Sequence, residues 1–406
     1  MAVRERSWEW KGKTKRAWVV DYHDTKRARR LKTFKTKREA VDFAAKTHVD
    51  IKNGTHVADG DSVTVAEAGQ LWLASCIENE LERSSIERNR QHVELHIMPM
   101  IGTTKLNRLT VPAVRQFADR LRWEGRSKAL TRMVVVSLGS ILADAQERGL
   151  AMSNPVRELK RQGGKRASNI AEARRAPLAI GVDIPAPIEI RSILGAAVGH
   201  VRRRALIATA ALTGLRSSEL RGLRWQDVDF AKTSITVWQR ADAWGHIGEA
   251  KSKAGYRTIP VPPLVINALR EWKLACPKGK LALVFPNTVG NVESHQNIVQ
   301  RDWHPVQITA GVTGWVAGED GQQIIKAKYS GLHALRHFFA SWCAARREDG
   351  GLGLPLKTVQ VRVGHASLAM TSDLYGHLFP STDDAEVLAA GEAALLGTRC
   401  TIHGGH

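Results

Sequence analysis

The sequence predicts a mixed, mainly helical protein built from a basic sheet-plus-helix module, a helical domain and a larger α+β domain. Three observations predict it. Helix caps and apolar residues at helical spacing dominate residues 64–155. Strand patterns are confined to residues 17–22 and 31–34 near the start, and to 235–237 and 258–261 further on. A basic stretch, residues 156–180, parts the helical domain from the α+β domain. The 406 residues, 43% of them hydrophobic, suffice for the cores of roughly two to three domains.

The formal net charge is +20. Such an excess concentrates polyanions at a surface. Because it clusters rather than spreads, it points to nucleic acid before a solubility charge or a membrane-surface role. The four cysteines, Cys76, Cys276, Cys343 and Cys400, are too far apart in sequence for a metal knuckle or a redox pair and read as reduced thiols. The chain has no unbroken apolar run of the ~18 residues that span a bilayer, and its start lacks the apolar core of a secretory signal. The expected location is the cytoplasm, at the nucleoid, with no membrane partner.

Residues 1–60 form the expected DNA-binding module. Two or three strands are followed by a helix that Thr36 and Glu39 open as a capping box, with Ala40, Phe43 and Ala44 on one face and Gly54 past its end. Residues 11–40 hold twelve Lys/Arg against three acids, with Trp8, Trp10, Trp18 and Tyr22 interleaved, so a DNA-binding ribbon is favoured over a solvated face. In residues 64–155, capping boxes are expected at Thr64/Glu67 and Ser84/Glu87. A third helix opens at Thr110 and Pro112. A fourth, from Lys128 to Arg148, carries Leu130, Met133, Val134, Leu138, Ile141 and Leu142 and stops at Gly149. Asn154-Pro155 breaks the chain ahead of a flexible basic linker, 156–180, suited to lie along a phosphate backbone.

Several chemistries lack their residues. There is no Gly-x-x-x-x-Gly-Lys-Ser/Thr loop, no His-Glu-x-x-His pair and no evident carboxylate cluster for two-metal catalysis, so no cofactor is expected. A phosphate would have to be neutralised by cationic side chains. The apolar helix 205–212 runs into Thr213-Gly214-Leu215-Arg216, where Gly214 permits a tight turn and Ser217 or Ser218 can cap the next helix. Arg216 then stands at a helix start, held by Leu215, Leu220 and Leu223, and a fixed guanidinium grips phosphate with two parallel hydrogen bonds. In 331–341, His333 and Arg336 are three apart and share a helical face. Gly364-His365 stands at the end of a helix that Gly364 stops, and Ser367 can cap the next. Tyr375 lies ten residues beyond His365 and beside His377. A phenol is a weak nucleophile at neutral pH, but surrounding arginines, a lysine and histidines would favour its phenolate.

These strings together resemble the catalytic domain of the tyrosine recombinases, the phage integrase family, over residues 181–395. They are Thr213-Gly214-Leu215-Arg216-Ser217-Ser218-Glu219-Leu220 with Leu223, Trp225, Asp227 and Asp229; His333-Ala334-Leu335-Arg336-His337; Gly364-His365; and Tyr375-Gly376-His377. Each is weak alone, but their order and spacing are specific. The family also places a lysine in a β-hairpin turn. Residues 250–260 fit that turn, with Lys253 the better match and Lys251 the alternative. One soft departure is Val363, where leucine usually precedes Gly-His. The segment from about Thr309 to Lys328 is an unassigned insertion.

The resemblance implies that Arg216 and Arg336 clamp the scissile phosphate, Tyr375 attacks it to give a 3′-phosphotyrosyl enzyme, and Lys253 protonates the departing 5′-oxygen. His333 and His365 would supply hydrogen bonds and proton traffic. More weakly, it extends to a helical core-binding domain over 64–155 and an arm-type DNA-binding module over 1–60, leaving 396–406 as a tail. The implied partners are double-stranded DNA at core and arm attachment sites, three further copies of the chain in a tetramer on DNA, a host DNA-bending factor and an excisionase. The implied activity is integration and excision of a mobile element. The rivals are a Xer-like chromosome resolvase, a topoisomerase using the same chemistry, and a DNA-binding regulator with a decayed site.

Overall fold

The computed structural model describes residues 1–11, 13–24, 27–52, 61–159, 178–250, 252–317, 320, 322–379 and 384–396. The chain divides into two compact units, Met1–Arg174 and Arg175–His406. Gly54, Lys251, Cys400 and most of the expected linker, 160–177, lie outside the described residues.

The first unit opens on a three-stranded antiparallel sheet, β1 (Ala2–Trp10), β2 (Lys13–His23) and β3 (Arg29–Phe34), in that order. A helix, Lys37–Lys52, packs on it. Its core is small: Val20, Tyr22, Ala40 and Ala44, with Trp18, Phe34 and Phe43 at the edge. The expected cap is present, since Thr36 N–H donates to Glu39 Oε2 and Glu39 N–H donates to Thr36 Oγ1.

The helical region comes next. Thr64 and Glu67 form the expected reciprocal cap of the helix Val65–Glu78, and Thr110 caps Val111–Trp123. The Ser84/Glu87 box does not form. The helix Arg83–His92 starts earlier than that box requires, so the Ser84 hydroxyl donates to Glu82 and Glu87 pairs with Arg90. The helix Lys128–Glu147 is long and apolar enough to cross a membrane by length and composition. Its stripe of Val134, Leu138, Ile141 and Leu142 is buried in the bundle core, whereas Met133 faces out. Asn154-Pro155 starts a short helical stretch, 155–159, rather than breaking the chain, because Asn154 Oδ1 accepts the Arg157 N–H.

The second unit is built on one large apolar core. The helix Val201–Thr213 runs through it, with Leu206, Ile207, Ala208 and Ala211 wholly buried. A sheet of β4 (Val228–Asp229), β5 (Ser234–Val237) and β8 (Arg257–Pro260) pairs Ile235 with Ile259, as the sequence pattern expects. The connection between β5 and β8 is a second antiparallel pair, β6 (Gln239–Ala241) and β7 (Ile247–Glu249), whose tip is residues 242–246. Residues 250–256 therefore are not the hairpin turn that the sequence suggested. Residues 252–256 are a loop on the returning arm, with a 3-10 turn at Lys253–Gly255.

The unassigned insertion is also a hairpin, β9 (Thr313–Ala317) with β10 (Gln323–Ala327), and it exposes Trp315, Val316, Ile324 and Ile325. The helices His333–Ala344, Leu356–Val363 and Leu368–Tyr375 complete the described core.

Candidate active site

Two glycines shape the backbone here. Gly214 ends the helix Val201–Thr213 at φ +62°, and a Cβ there would come within 2.4 Å of the Phe339 ring. Gly364 ends Leu356–Val363 at φ +74°, where a Cβ would meet Arg257 Nη1 at 2.8 Å. Both positions need a left-handed residue without a side chain. Between them they bring the Arg216 turn and the His365 turn together, since Arg216 Nη2 donates to the Gly364 carbonyl at 2.7 Å.

Arg216 precedes the helix Ser217–Gly222 and acts as its cap residue. Neither Ser217 nor Ser218 caps it. Instead the Glu219 carboxylate reaches back to the Arg216 N–H at 2.9 Å and accepts Arg216 Nη1 at 2.7 Å. The same buried carboxylate takes two hydrogen bonds from Arg257, at 3.2 and 2.8 Å. Arg257 also donates to the Gly255 and Arg362 carbonyls at 3.1 and 2.9 Å. Burial pushes the Glu219 carboxyl upward, but Arg257 and Arg216 outweigh it and hold the group below its ordinary value. One ion-pair network thus joins the Arg216 helix, the Lys253 turn and the segment before His365.

Replacing Arg257 by alanine would remove the buried two-point partner of Glu219, leave that buried carboxylate only the partly exposed Arg216, and free the Gly255 and Arg362 carbonyls. Destabilisation of about 3–5 kcal/mol is expected, as for breaking other buried pairs. Urea unfolding followed by tryptophan fluorescence measures it. A change under about 1 kcal/mol would show the network to be dispensable.

Arg336 is 2% exposed and donates through Nη1 to the Gly214 carbonyl at 2.7 Å. Its Nη2 is buried with no hydrogen-bond partner among the described residues. Burial, reinforced by Arg216, lowers its pKa to about 9. Such an orphaned donor is costly unless an anion completes it.

Tyr375 ends the helix Leu368–Tyr375 with 1% of its surface exposed. His365 lies parallel to its ring, at 6.1 Å between centroids, and bonds Thr371 Oγ1 through Nδ1 at 2.9 Å. His377, expected beside the tyrosine, instead bonds the Leu178 carbonyl at 2.9 Å. The partner of the phenol is His337, whose Nδ1 lies 2.7 Å from Tyr375 Oη. His333 meets the His337 ring edge to face at 4.5 Å.

The expectation that the cationic cluster favours the phenolate is corrected for the free protein. Burial raises the Tyr375 pKa to about 12, and the opposing field of Arg336 is too weak to reverse it. Burial likewise lowers His365 and His337 to about 4, with cationic neighbours adding to the shift, so both rings are neutral.

Of the six residues singled out, the structure gathers Arg216, Arg336, His333, His365 and Tyr375. Lys253 sits exposed on the 3-10 turn, tied to the site through its backbone segment, and Lys251 is outside the described residues. Sequence reasoning missed Glu219, Arg257 and His337 as working parts. His337 had a signal: it is four residues after His333, on the same helical face. Arg257 had one too, since it alternates with Ile259 on the inward side of β8.

Comparisons with known proteins bear on the family and the fold. Residues 187–381 match the phage integrase family, and residues 64–122 match the N-terminal SAM-like domain of phage integrases. A XerC-like tyrosine recombinase of Caldanaerobacter subterraneus subsp. tengcongensis is 25% identical, over 85% of this chain and 87% of its own. An integrase of Streptomyces ambofaciens is also 25% identical, over 84% and 83%. The Tn1549 transposon integrase, solved with transposon end DNA, has a similar fold at TM-score 0.61 and 19% identity, covering 82% of this chain and all of that one. A lambda integrase dimer on a core site gives TM-score 0.53 at 16% identity, covering 88% of this chain and 91% of that one. Matched from its SAM-like helices to the helix that carries Tyr375, the chain belongs to the phage integrase family of tyrosine recombinases.

Proposed function

We propose that this protein integrates and excises a mobile element by cutting and rejoining double-stranded DNA through Tyr375. The observation that carries the reading is the buried phenol, bonded to His337 and in the field of Arg336, whose Nη2 keeps an unpaired donor among the described residues. Arg216 uses one Nη1–H on Glu219 and one Nη2–H on Gly364, leaving its other N–H groups for a phosphate oxygen. Arg336 Nη2 takes a second oxygen. With the phosphate charge divided between two guanidiniums, the phenol oxygen attacks phosphorus and the 5′-oxygen leaves with a proton from Lys253, or from Lys251. His333 and His365 hydrogen-bond around the phosphate. The phosphotyrosyl bond conserves the energy of the cut, so no step calls for a nucleotide cofactor.

The basic sheet-plus-helix module, residues 1–60, favours the integrase reading over a chromosome resolvase, and we assign it to arm sites. The helical domain, 64–155, would hold the core site, with the linker 156–180 along the backbone and residues 181–395 doing the chemistry. The relatives solved on DNA as a dimer and as a tetramer support a tetrameric assembly, with a bending factor and an excisionase as accessory partners.

The test uses a nicked duplex carrying the element's attachment site, to be identified by sequencing the DNA that flanks the gene. The protein is expected to form a denaturant-stable adduct on the 3′ side of the cut and to join two such duplexes. Relaxation of an arbitrary plasmid without joining would favour a topoisomerase. Binding without any adduct would favour a regulator.

A further inference from the structure

We propose that His337, rather than His333 or His365, accepts the proton that Tyr375 gives up as it attacks the phosphate. This rests on the phosphotyrosyl reading above. His337 Nδ1 is 2.7 Å from the phenol oxygen, within direct transfer distance. The other two histidines are occupied differently. The His365 ring is parallel to the Tyr375 ring, 3° between planes, so its in-plane lone pairs run alongside the phenol, and its Nδ1 is bonded to Thr371. His333 packs edge to face on His337, and among the described residues the hydrogen bond to the phenol oxygen is made by His337.

His337 is adjacent in sequence to Arg336 on the helix His333–Ala344, so one rigid element fixes both the base and a phosphate clamp. Before DNA binds, the proton resides on the tyrosine and the lone pair on the histidine, because burial and the neighbouring His333 and Arg336 keep the imidazole neutral. A phosphate monoanion between Arg216 and Arg336 cancels part of that positive field. The basicity of His337 then rises when the substrate is in place. In the step itself the Oη–P bond forms, the P–O5′ bond breaks, and the phenol proton passes to His337 Nδ1. The departing 5′-oxygen takes its proton from the turn lysine. Rejoining reverses each transfer, and His337 returns its proton to the phenol.

The test compares full-length parent and His337→Asn on the nicked attachment-site duplex. Asparagine can hold a hydrogen bond to the phenol but cannot store a proton at neutral pH. The rate of adduct formation is expected to fall about a hundredfold or more with DNA binding unchanged. Placing 3,5-difluorotyrosine at 375, a more acidic phenol, should recover about tenfold or more of the loss in His337→Asn. A 5′-phosphorothiolate leaving group, which needs little protonation, should rescue Lys253→Ala but not His337→Asn. A His337→Asn rate within about threefold of the parent would overturn the proposal, as would a loss that the fluorinated tyrosine does not recover. Absence of an adduct from the parent would instead remove the recombinase reading on which it rests.

Discussion

Tyr375→Phe is expected to bind attachment-site DNA as the parent does and to form no covalent adduct with it. The ring is almost wholly buried, so phenylalanine keeps the packing against His365. What is lost is one oxygen and its hydrogen bond with His337, a cost to folding of about 1 kcal/mol. Chemistry without that oxygen has no nucleophile, because the other tyrosines are unsuited. Tyr329 is buried, donates to Glu189 and has its phenol held protonated by that burial and that carboxylate. Tyr256 is exposed and bonded to Glu249, which raises its pKa as well. Tyr22 lies in the core of the N-terminal module. Denaturing gels of the trapped duplex measure the adduct, and gel shifts measure binding. Any adduct formed by the phenylalanine variant would move the nucleophile elsewhere.

The parts of the fold and of the site that the sequence revealed are those with a local cause. Gly214 and Gly364 announce turns because only a residue without Cβ fits there. Thr64/Glu67 announces a helix start because the two side chains satisfy each other across a single turn. The order of Arg216, His333-x-x-Arg336, His365 and Tyr375 identified the catalytic domain before any geometry was known. Long-range pairing was hidden. Nothing near Glu219 says that its second cation arrives from 38 residues away, on the strand after the lysine turn. The same holds for the phenol. His337 was visible as a neighbour of Arg336, yet its bond to Tyr375 spans 38 residues and depends on how two helices meet. The ionisation state was misjudged for a related reason. Counting cations along a chain registers their fields but not the burial that opposes them, and in the free protein burial decides the pKa of Tyr375. The hairpin turn expected over 250–260 was not local to that stretch: the tip is residues 242–246, and Lys253 stands on the segment that returns from it.

Arg216→Lys is expected to be nearly as damaging as Arg216→Ala. Arg216 works as a spaced fork: Nη1 is fixed by Glu219, Nη2 by the Gly364 carbonyl, and the remaining N–H groups are left at set angles for the phosphate. A lysine ammonium carries the same charge on a flexible stem. It can satisfy Glu219 or approach the phosphate, but it cannot do both in the geometry the fork imposes. Glu219 itself stays neutralised by Arg257, so the fold should survive the change and the loss should fall on the chemistry. Removing a preorganised donor to a developing anion costs on the order of 3 kcal/mol, roughly a hundredfold in rate. Single-turnover cleavage of the nicked duplex at saturating protein isolates that step from binding. The alanine variant should be slower than the lysine variant by no more than about tenfold, since shape rather than charge supplies most of the effect. Cleavage by Arg216→Lys within about fivefold of the parent would mean that charge alone suffices and that Arg216 is not the clamp.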